Sequence, residues 1–152
     1  MAVFRDELVN LFPEDGTARR LSAQTFTLAE FLVRGNAALP TRSGKAIVHG
    51  HCHHHAVMGM GADRELLARL GLDFEVLDSG CCGMAGAFGF EADHYEVSVA
   101  CAERALLPAV RSASPDTLLL ADGFSCREQI SQLTGRGTLH LAEVVRGALA
   151  AS

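Results

Sequence analysis

From residue 45 onward, short apolar segments alternate with amphipathic ones, and this alternation restricts the possible fold more than any other feature of the chain. The pattern predicts strands at residues 45–49, 73–77 and 117–121, and a weaker one at 137–141. It predicts helices at residues 62–70, 91–111, 125–133 and 141–149. Strand–helix alternation of this kind is typical of a parallel sheet with helices on both faces. We therefore expect an α/β, Rossmann-like fold with about four parallel strands.

The first forty residues have a different pattern. Apolar residues recur at helical spacing and predict helices at residues 3–12 and 17–33. The stretch 35–44 contains glycine, asparagine and proline, and it interrupts this pattern as a linker would. We expect an N-terminal helical segment at residues 1–40 and an α/β domain at residues 41–152.

Four cysteines follow the ends of the predicted strands. Cys52 comes three residues after the first strand, Cys81 and Cys82 come four and five after the second, and Cys126 comes five after the third. In an open α/β sheet, ligands bind at the edge where the parallel strands end. The sequence therefore predicts that four thiols converge on one crevice. Cys101 lies in the middle of a predicted helix and is expected to be a packed core thiol.

Converging thiols allow three kinds of chemistry. Thiolates hold iron–sulfur clusters, in which the adjacent Cys81 and Cys82 could reach different irons, and the flanking Gly80 and Gly83 let backbone N–H groups approach sulfur. A single zinc ion is tetrahedral and usually takes two short ligand pairs, which adjacent cysteines fit poorly. The third possibility is thiol–disulfide exchange through a vicinal Cys81–Cys82 disulfide. The pattern favours a cluster and leaves the other two open.

A histidine-rich segment surrounds Cys52. Five of the seven histidines lie between His49 and His55. Histidine is a common metal ligand, and His51 and His53 are candidates for groups that contact the ligating residues. The other histidines are expected to be loop residues without a metal role.

Composition and charge exclude several classes of function. The formal net charge is -5 and no basic cluster is present, which disfavours binding to nucleic acid. The first residues carry charges where a signal peptide needs an apolar run, and no segment approaches the roughly 18 apolar residues of a membrane span. We expect a cytoplasmic protein, in which five cysteines are more often metal ligands or redox groups than disulfides.

The segment Asp78-Ser79-Gly80-Cys81-Cys82-Gly83-Met84-Ala85-Gly86-Ala87-Phe88-Gly89 resembles the cysteine-rich CCG domain. That domain occurs in iron–sulfur subunits of heterodisulfide reductase, anaerobic glycerol-3-phosphate dehydrogenase, and glycolate or lactate oxidation complexes. The resemblance is greatest to the C-terminal part of FAD-linked oxidases fused to iron–sulfur modules, whose tails are similar to residues 121–126 and 139–143. The family pattern is a cysteine, a Cys-Cys-Gly about thirty residues later, and a C-x2-C. Gly123 stands where the first cysteine of that C-x2-C would be.

This resemblance implies an electron-transfer role. An iron–sulfur cluster of the 4Fe–4S type would carry electrons from FAD, bound in a separate domain or subunit, toward a quinone or another carrier. The flavoprotein would oxidise a 2-hydroxyacid of the lactate, glycolate or 2-hydroxyglutarate type. The implied metal ligands and cofactor-binding glycines are Cys52, Cys81, Cys82 and Cys126, with Gly80 and Gly83.

The resemblance also implies that the chain works with partners. These would be an FAD-binding dehydrogenase domain or subunit and other iron–sulfur modules, through which any peripheral membrane contact would be made. Family members usually carry two such halves, and residues 1–40 resemble the tail of a first half. We therefore expect a fragment with no catalytic residue of its own. Two alternatives stay open: a zinc or structural-metal module that docks a flavoprotein, and a vicinal-cysteine thiol redox protein.

Overall fold

The computed structural model describes residues 1–150. Its helices and strands follow one another in this order: a π-helical turn Val3–Glu7, α1 Leu8–Leu11, α2 Gly16–Ala23, α3 Leu28–Arg34, β1 Lys45–His49, α4 Cys52–Val57, α5 Gly61–Arg69, β2 Asp73–Val76, 3-10 turns Phe88–Phe90 and Ala92–His94, α6 Tyr95–Glu103, α7 Leu106–Ser112, β3 Leu118–Ala121, α8 Phe124–Thr134 and α9 Leu141–Ala150. Within this range, every helix is too short or too polar to cross a bilayer.

The chain forms two compact units. The helical unit consists of residues 1–38 and 53–66, and the sheet unit consists of residues 39–52 and 67–150. The predicted division into an N-terminal segment at residues 1–40 and an α/β domain at residues 41–152 stays a prediction, because a division into compact units does not test it.

The sheet unit contains a parallel sheet with strand order β2-β1-β3. Val48 of the central strand pairs with Val76 on one side and with Leu120 on the other, so the three strands end at the same edge. The predicted α/β class is thereby confirmed. A fourth strand was expected at 137–141, but the structure has only an isolated bridge between Leu139 and Leu120 there. The strand cannot continue because α9 begins at Leu141. At this helix start the Asp122 carboxylate accepts a hydrogen bond from the Leu141 N–H at 2.8 Å.

The predicted helix at 91–111 is wrong as a single element. The chain instead makes the 3-10 turn at Ala92–His94 and then α6 and α7, with Ala105 in a non-helical conformation between them. Pro108 explains the break, since proline lacks an N–H and its ring clashes with the carbonyl four residues earlier. A helix that restarts at Leu106 has Pro108 in its first turn, where no intrahelical acceptor is needed.

The predicted helices of the first forty residues are also divided. The span 17–33 contains α2 and α3, separated by Thr27, whose side chain accepts from the Glu30 N–H while the Glu30 carboxylate accepts from the Thr27 N–H. This capping box begins a new helix at Leu28. The apolar periodicity that predicted one helix over 17–33 does not detect such a local cap. The predicted helix 3–12 is a π-helical turn followed by the short α1, and the helix α4 was not predicted.

A substitution at Glu30 tests how much its ion pair with Arg5 stabilises the helical unit. Its carboxylate lies 2.6 Å from Arg5 Nη1 and 2.8 Å from the Thr27 N–H. Burial acts to raise the pKa of Glu30, but the hydrogen bonds from Arg5 and Thr27 hold it below its usual value. Glu30→Gln keeps an acceptor for the cap and removes the charge, and it is expected to lower the unfolding free energy by about 1 kcal/mol at pH 7.

This effect should depend on pH in a defined direction. Because the folded pKa is lowered, the stabilisation is present above the unfolded carboxyl pKa of about 4.3 and is lost as pH falls through the folded value. Urea denaturation followed by helical circular dichroism should therefore separate the Glu30→Gln variant from the wild type at pH 7 and bring them together near pH 3. In an Arg5→Gln background the same substitution should cost little. An unchanged cost there would contradict the ion pair.

Candidate metal centre

Four of the five cysteines lie at the edge where the strands of the sheet unit end. Cys52 begins α4 after β1, Cys81 and Cys82 lie in the loop after β2, and Cys126 lies in the first turn of α8 after β3. His49, the last residue of β1, reaches the same edge. The parallel order of the strands is what brings these distant segments together.

The inner part of this edge is a three-residue group, which we call the inner cluster: His49, Cys82 and Cys126. One ligand atom from each residue lies within 4.8 Å of the other two. All three residues are buried, with exposed fractions of 3%, 3% and 1%. Cys82 and Cys126 pack among Met84, Leu106 and other apolar core residues, where an unpaired charge would be costly.

The outer part contains Cys52 and Cys81. Cys52 is exposed and Cys81 is half-buried, and their thiols share a hydrogen bond. Cys81 also borders a cavity of about 330 Å³ that is lined in part by Cys101 and Arg104. Cys101 is half-buried on α6, and so is less enclosed than a packed core thiol would be. The outer pair is therefore the part of the site that solvent and small molecules can reach.

The thiols affect one another's protonation. A hydrogen bond from Cys126 lowers the pKa of Cys82 despite its burial, and His49 and the Met84 N–H lower it further. The same hydrogen bond, together with burial, raises the pKa of Cys126. Burial also raises the pKa of Cys81. These directions favour ionisation of the Cys82 thiol before that of Cys126. A metal ion bound to both sulfurs would displace the remaining proton and leave two thiolates.

The two glycines predicted to bind a cofactor have different environments. Gly83 has φ +89°, its N–H donates to Cys81 Sγ at 3.3 Å, and an added Cβ would overlap the Ser98 backbone carbonyl. Gly80 has φ +62° and open space around its Cβ position. Gly83 is therefore required by a close approach and supplies a donor to sulfur, whereas Gly80 shapes the turn.

Gln129 supports the loop after β2 that contains Cys82, which we call the Cys82 loop. This residue was not identified as a site residue from the sequence. Its buried side-chain amide donates to the Cys82 carbonyl at 3.0 Å and lies 3.2 Å from the Ser98 carbonyl and 3.0 Å from Ser98 Oγ. The residue stands three positions after Cys126, on the same face of α8. That spacing could have identified Gln129 as a site residue, because a polar side chain on the buried face of a helix needs hydrogen-bond partners.

His49 was not selected as a site residue from the sequence either. Its Nδ1 lies 2.7 Å from Ser79 Oγ, and its Nε2 is buried without a hydrogen-bond partner in the described part of the chain. The available signal was its position, since it is the final residue of a buried strand and stands three residues before Cys52.

The other candidate histidines occupy different places. The ring of His51 lies against Gly123, so closely that a Cβ at Gly123 would overlap its Cδ2 and would lie 3.1 Å from Cys126 Sγ. A cysteine at position 123 could not fit while His51 holds this position. His53 is exposed in the helical unit.

Comparisons with known proteins identify two kinds of relative. The chain is 36% identical over 103 residues to D-2-hydroxyglutarate dehydrogenase of Escherichia coli K12, and 38% identical over 81 residues to that of Pseudomonas putida. It is 33% identical over 107 residues to one subunit of the anaerobic glycerol-3-phosphate dehydrogenase of E. coli K12. No family model matches the chain, and no solved structure matches it significantly.

These matches cover much of the chain and little of the relatives. The match to the E. coli D-2-hydroxyglutarate dehydrogenase covers 64% of this chain, the match to the P. putida enzyme covers 53%, and the match to the glycerol-3-phosphate dehydrogenase subunit covers 70%. The chain spans 10% and 8% of the two D-2-hydroxyglutarate dehydrogenases and 26% of the glycerol-3-phosphate dehydrogenase subunit. The chain is thus similar to a limited segment of two kinds of dehydrogenase.

Proposed function

We propose that this chain is the iron–sulfur electron-transfer domain of an FAD-linked 2-hydroxyacid dehydrogenase. It would pass electrons from the flavin, bound in another domain or subunit, toward a quinone or another carrier. The proposed ligands are Cys52, Cys81, Cys82 and Cys126. Residues 1–40 would be the tail of a preceding, similar half.

The convergence of thiols at the carboxyl edge of the sheet carries this proposal. The residues fit an anionic metal–sulfur group because Cys82 already favours the thiolate and the Gly83 N–H donates to Cys81 Sγ. Such N–H···S contacts tune clusters. Burial of Cys82 and Cys126 would keep water from the inner side, while the exposed Cys52 leaves the outer side accessible for electron exchange. When bound, the cluster supplies one-electron transfer.

The relatives support the wider assignment. Two carry the name D-2-hydroxyglutarate dehydrogenase, and a third is a subunit of a glycerol-3-phosphate dehydrogenase. Since the chain corresponds to a small part of each, we infer that it acts beside a flavoprotein and further iron–sulfur modules, and that it does not bind the 2-hydroxyacid itself. Any membrane contact would then be made through those partners.

A zinc or structural-metal module that docks a flavoprotein is the second candidate. The inner cluster offers one imidazole nitrogen and two sulfurs, and Zn²⁺ accepts this set when a fourth ligand completes a tetrahedron. The two candidates differ in the metal that they bind.

Protein purified without oxygen distinguishes these functions. We expect stoichiometric iron and acid-labile sulfide with a broad visible absorption that bleaches on reduction. Stoichiometric zinc without sulfide would support the second candidate. If the protein holds neither iron nor sulfide, even after anaerobic reconstitution with both, the electron-transfer proposal is wrong. A reversible Cys81–Cys82 disulfide in such metal-free protein, detected by mass spectrometry, would then indicate thiol chemistry.

A further inference from the structure

The imidazole of His49 is held in an orientation that suits a metal ligand. One ring nitrogen, Nδ1, is 2.7 Å from Ser79 Oγ, and both residues are buried. The other, Nε2, has no hydrogen-bond partner although it is buried among the described residues. A buried polar atom without a partner is costly, so such an atom usually serves a specific purpose. A ligating histidine typically has one nitrogen fixed by a hydrogen bond and the other directed at the metal.

The spacing of the inner cluster fits ligands of one metal ion. Bonds of about 2.3 Å to sulfur and about 2.0 Å to nitrogen, at tetrahedral angles, put one nitrogen and two sulfurs about 3.5–3.8 Å apart. One ring nitrogen of His49 and the sulfurs of Cys82 and Cys126 lie within 4.8 Å of one another. Because Ser79 Oγ lies 2.7 Å from Nδ1, Nε2 is the nitrogen that remains available to a metal. Movements of about 1 Å would therefore bring all three donors onto a common ion.

We propose that Nε2 of His49, together with the thiolates of Cys82 and Cys126, binds a single transition-metal ion, so that the centre is a mixed nitrogen–sulfur site and not one held by cysteines alone. In the proposed function, on which this inference rests, that ion is one of the irons. Three protein donors leave one tetrahedral position on it for sulfide, so the centre differs from a regular 4Fe–4S cube, in which each iron takes a single protein donor. Cys52 and Cys81 then serve the outer side of the centre.

Mixed ligation changes the chemistry of the centre. Imidazole is neutral where a thiolate is negative, so the site carries less negative charge than an all-cysteine centre with the same number of protein ligands, and its reduced form is less destabilised. In clusters where histidine replaces cysteine, the reduction potential rises. The electron acceptor of this domain should accordingly have a higher potential than one served by an all-cysteine cluster.

Pulsed EPR of the reduced, anaerobically prepared protein tests the nitrogen ligand directly. We expect a strong nitrogen coupling that changes from ¹⁴N to ¹⁵N when the protein contains [¹⁵N]histidine. The coupling should vanish in His49→Cys, which keeps a soft ligand in place, and should persist in the matched control His55→Ala, whose side chain is exposed. An iron-loaded wild type without histidine coupling, or a coupling that persists in His49→Cys, would overturn the inference and leave the proposed function standing.

A Co²⁺ titration of the metal-free wild type separates the two proposals. Co²⁺ should bind with visible bands typical of nitrogen–sulfur tetrahedral sites. Ser79→Ala leaves the ring of His49 in place and removes its hydrogen bond, so it should weaken Co²⁺ binding about tenfold, within the range seen for such supporting groups. If the protein takes no iron and sulfide but its Co²⁺ affinity falls in Ser79→Ala, the electron-transfer function fails while the inner site survives. Equal affinity in Ser79→Ala and the wild type would overturn the inner site, whether or not His49→Cys folds.

Discussion

Replacing Cys82 or Cys126 by serine is expected to lower bound iron and sulfide by more than tenfold. Both sulfurs belong to the inner cluster and are buried, so no other group can take their place without moving the core. Loss of a group that merely supports a ligand already costs about 10–100-fold in metal affinity, and loss of a ligand should cost at least as much. A serine hydroxyl does not ionise near neutral pH, so it offers no anionic donor.

Cys101→Ser is the matched control for this experiment. Cys101 is a half-buried cysteine on α6 that lines the same cavity as Cys81, and it is not part of the inner cluster. Anaerobic preparation, metal and sulfide analysis and urea denaturation should be run in parallel on all variants. We expect Cys101→Ser to keep its iron and its visible absorption. Equal iron loss in all three variants would contradict a site built on Cys82 and Cys126.

The convergence of the cysteines could be predicted because it depends on topology alone. Cys52, Cys81, Cys82 and Cys126 each follow a predicted strand within five residues, and parallel strands end at one edge. Small errors in strand length do not alter this result. The absence of a regular fourth strand at 137–141 therefore does not affect the prediction that these four cysteines lie at one edge of the sheet.

Element boundaries were predicted less well, although the signals were present. Pro108 marked the start of α7, and Thr27 with Glu30 formed a capping box at the start of α3. In both places the apolar periodicity continued through the break, because two consecutive helices can bury the same kind of face. A local cap or a missing N–H decides where the backbone turns, and periodicity does not record it.

The polar contacts of the site could not be predicted from local sequence. Gln129 reaches Cys82 from 47 positions away, and His49 reaches Ser79 from 30 positions away. Such pairs depend on how closely α6, α8 and the Cys82 loop approach one another. The histidine-rich segment also made His49 hard to single out from the sequence. Of the five histidines between residues 49 and 55, only His49 is buried, and the other four are exposed or half-buried.

Gly83→Ala is expected to cause the largest loss of stability of any single substitution proposed for the sheet unit. Its φ of +89° is unfavourable for residues with a Cβ, at a cost of about 1–2 kcal/mol. The new Cβ would also overlap the carbonyl group of Ser98, and the Ser98 Cα would be only 2.9 Å away. The neighbour is backbone and cannot rotate aside, so we expect a total cost of about 3–5 kcal/mol, in the range reserved for severe core defects.

The loop cannot easily shift to relieve this overlap, because Gln129 holds both sides of the contact. Its amide donates to the carbonyl of Cys82 and lies within hydrogen-bonding distance of Ser98, so moving either segment breaks buried hydrogen bonds. Displacing Cys82 would also separate it from Cys126. Gly83→Ala should therefore lose metal as well as stability.

Gly86→Ala separates backbone strain from steric overlap. Gly86 has φ +61°, like a residue in the left-handed region, but its Cβ position has open space. This variant should lose only the conformational cost of about 1–2 kcal/mol and should keep its iron. Urea denaturation midpoints and iron content, measured on both variants and the wild type, give the comparison. If the two substitutions cost the same, the backbone at Gly83 does not approach Ser98 as closely as described, and the Cys82 loop has room to move.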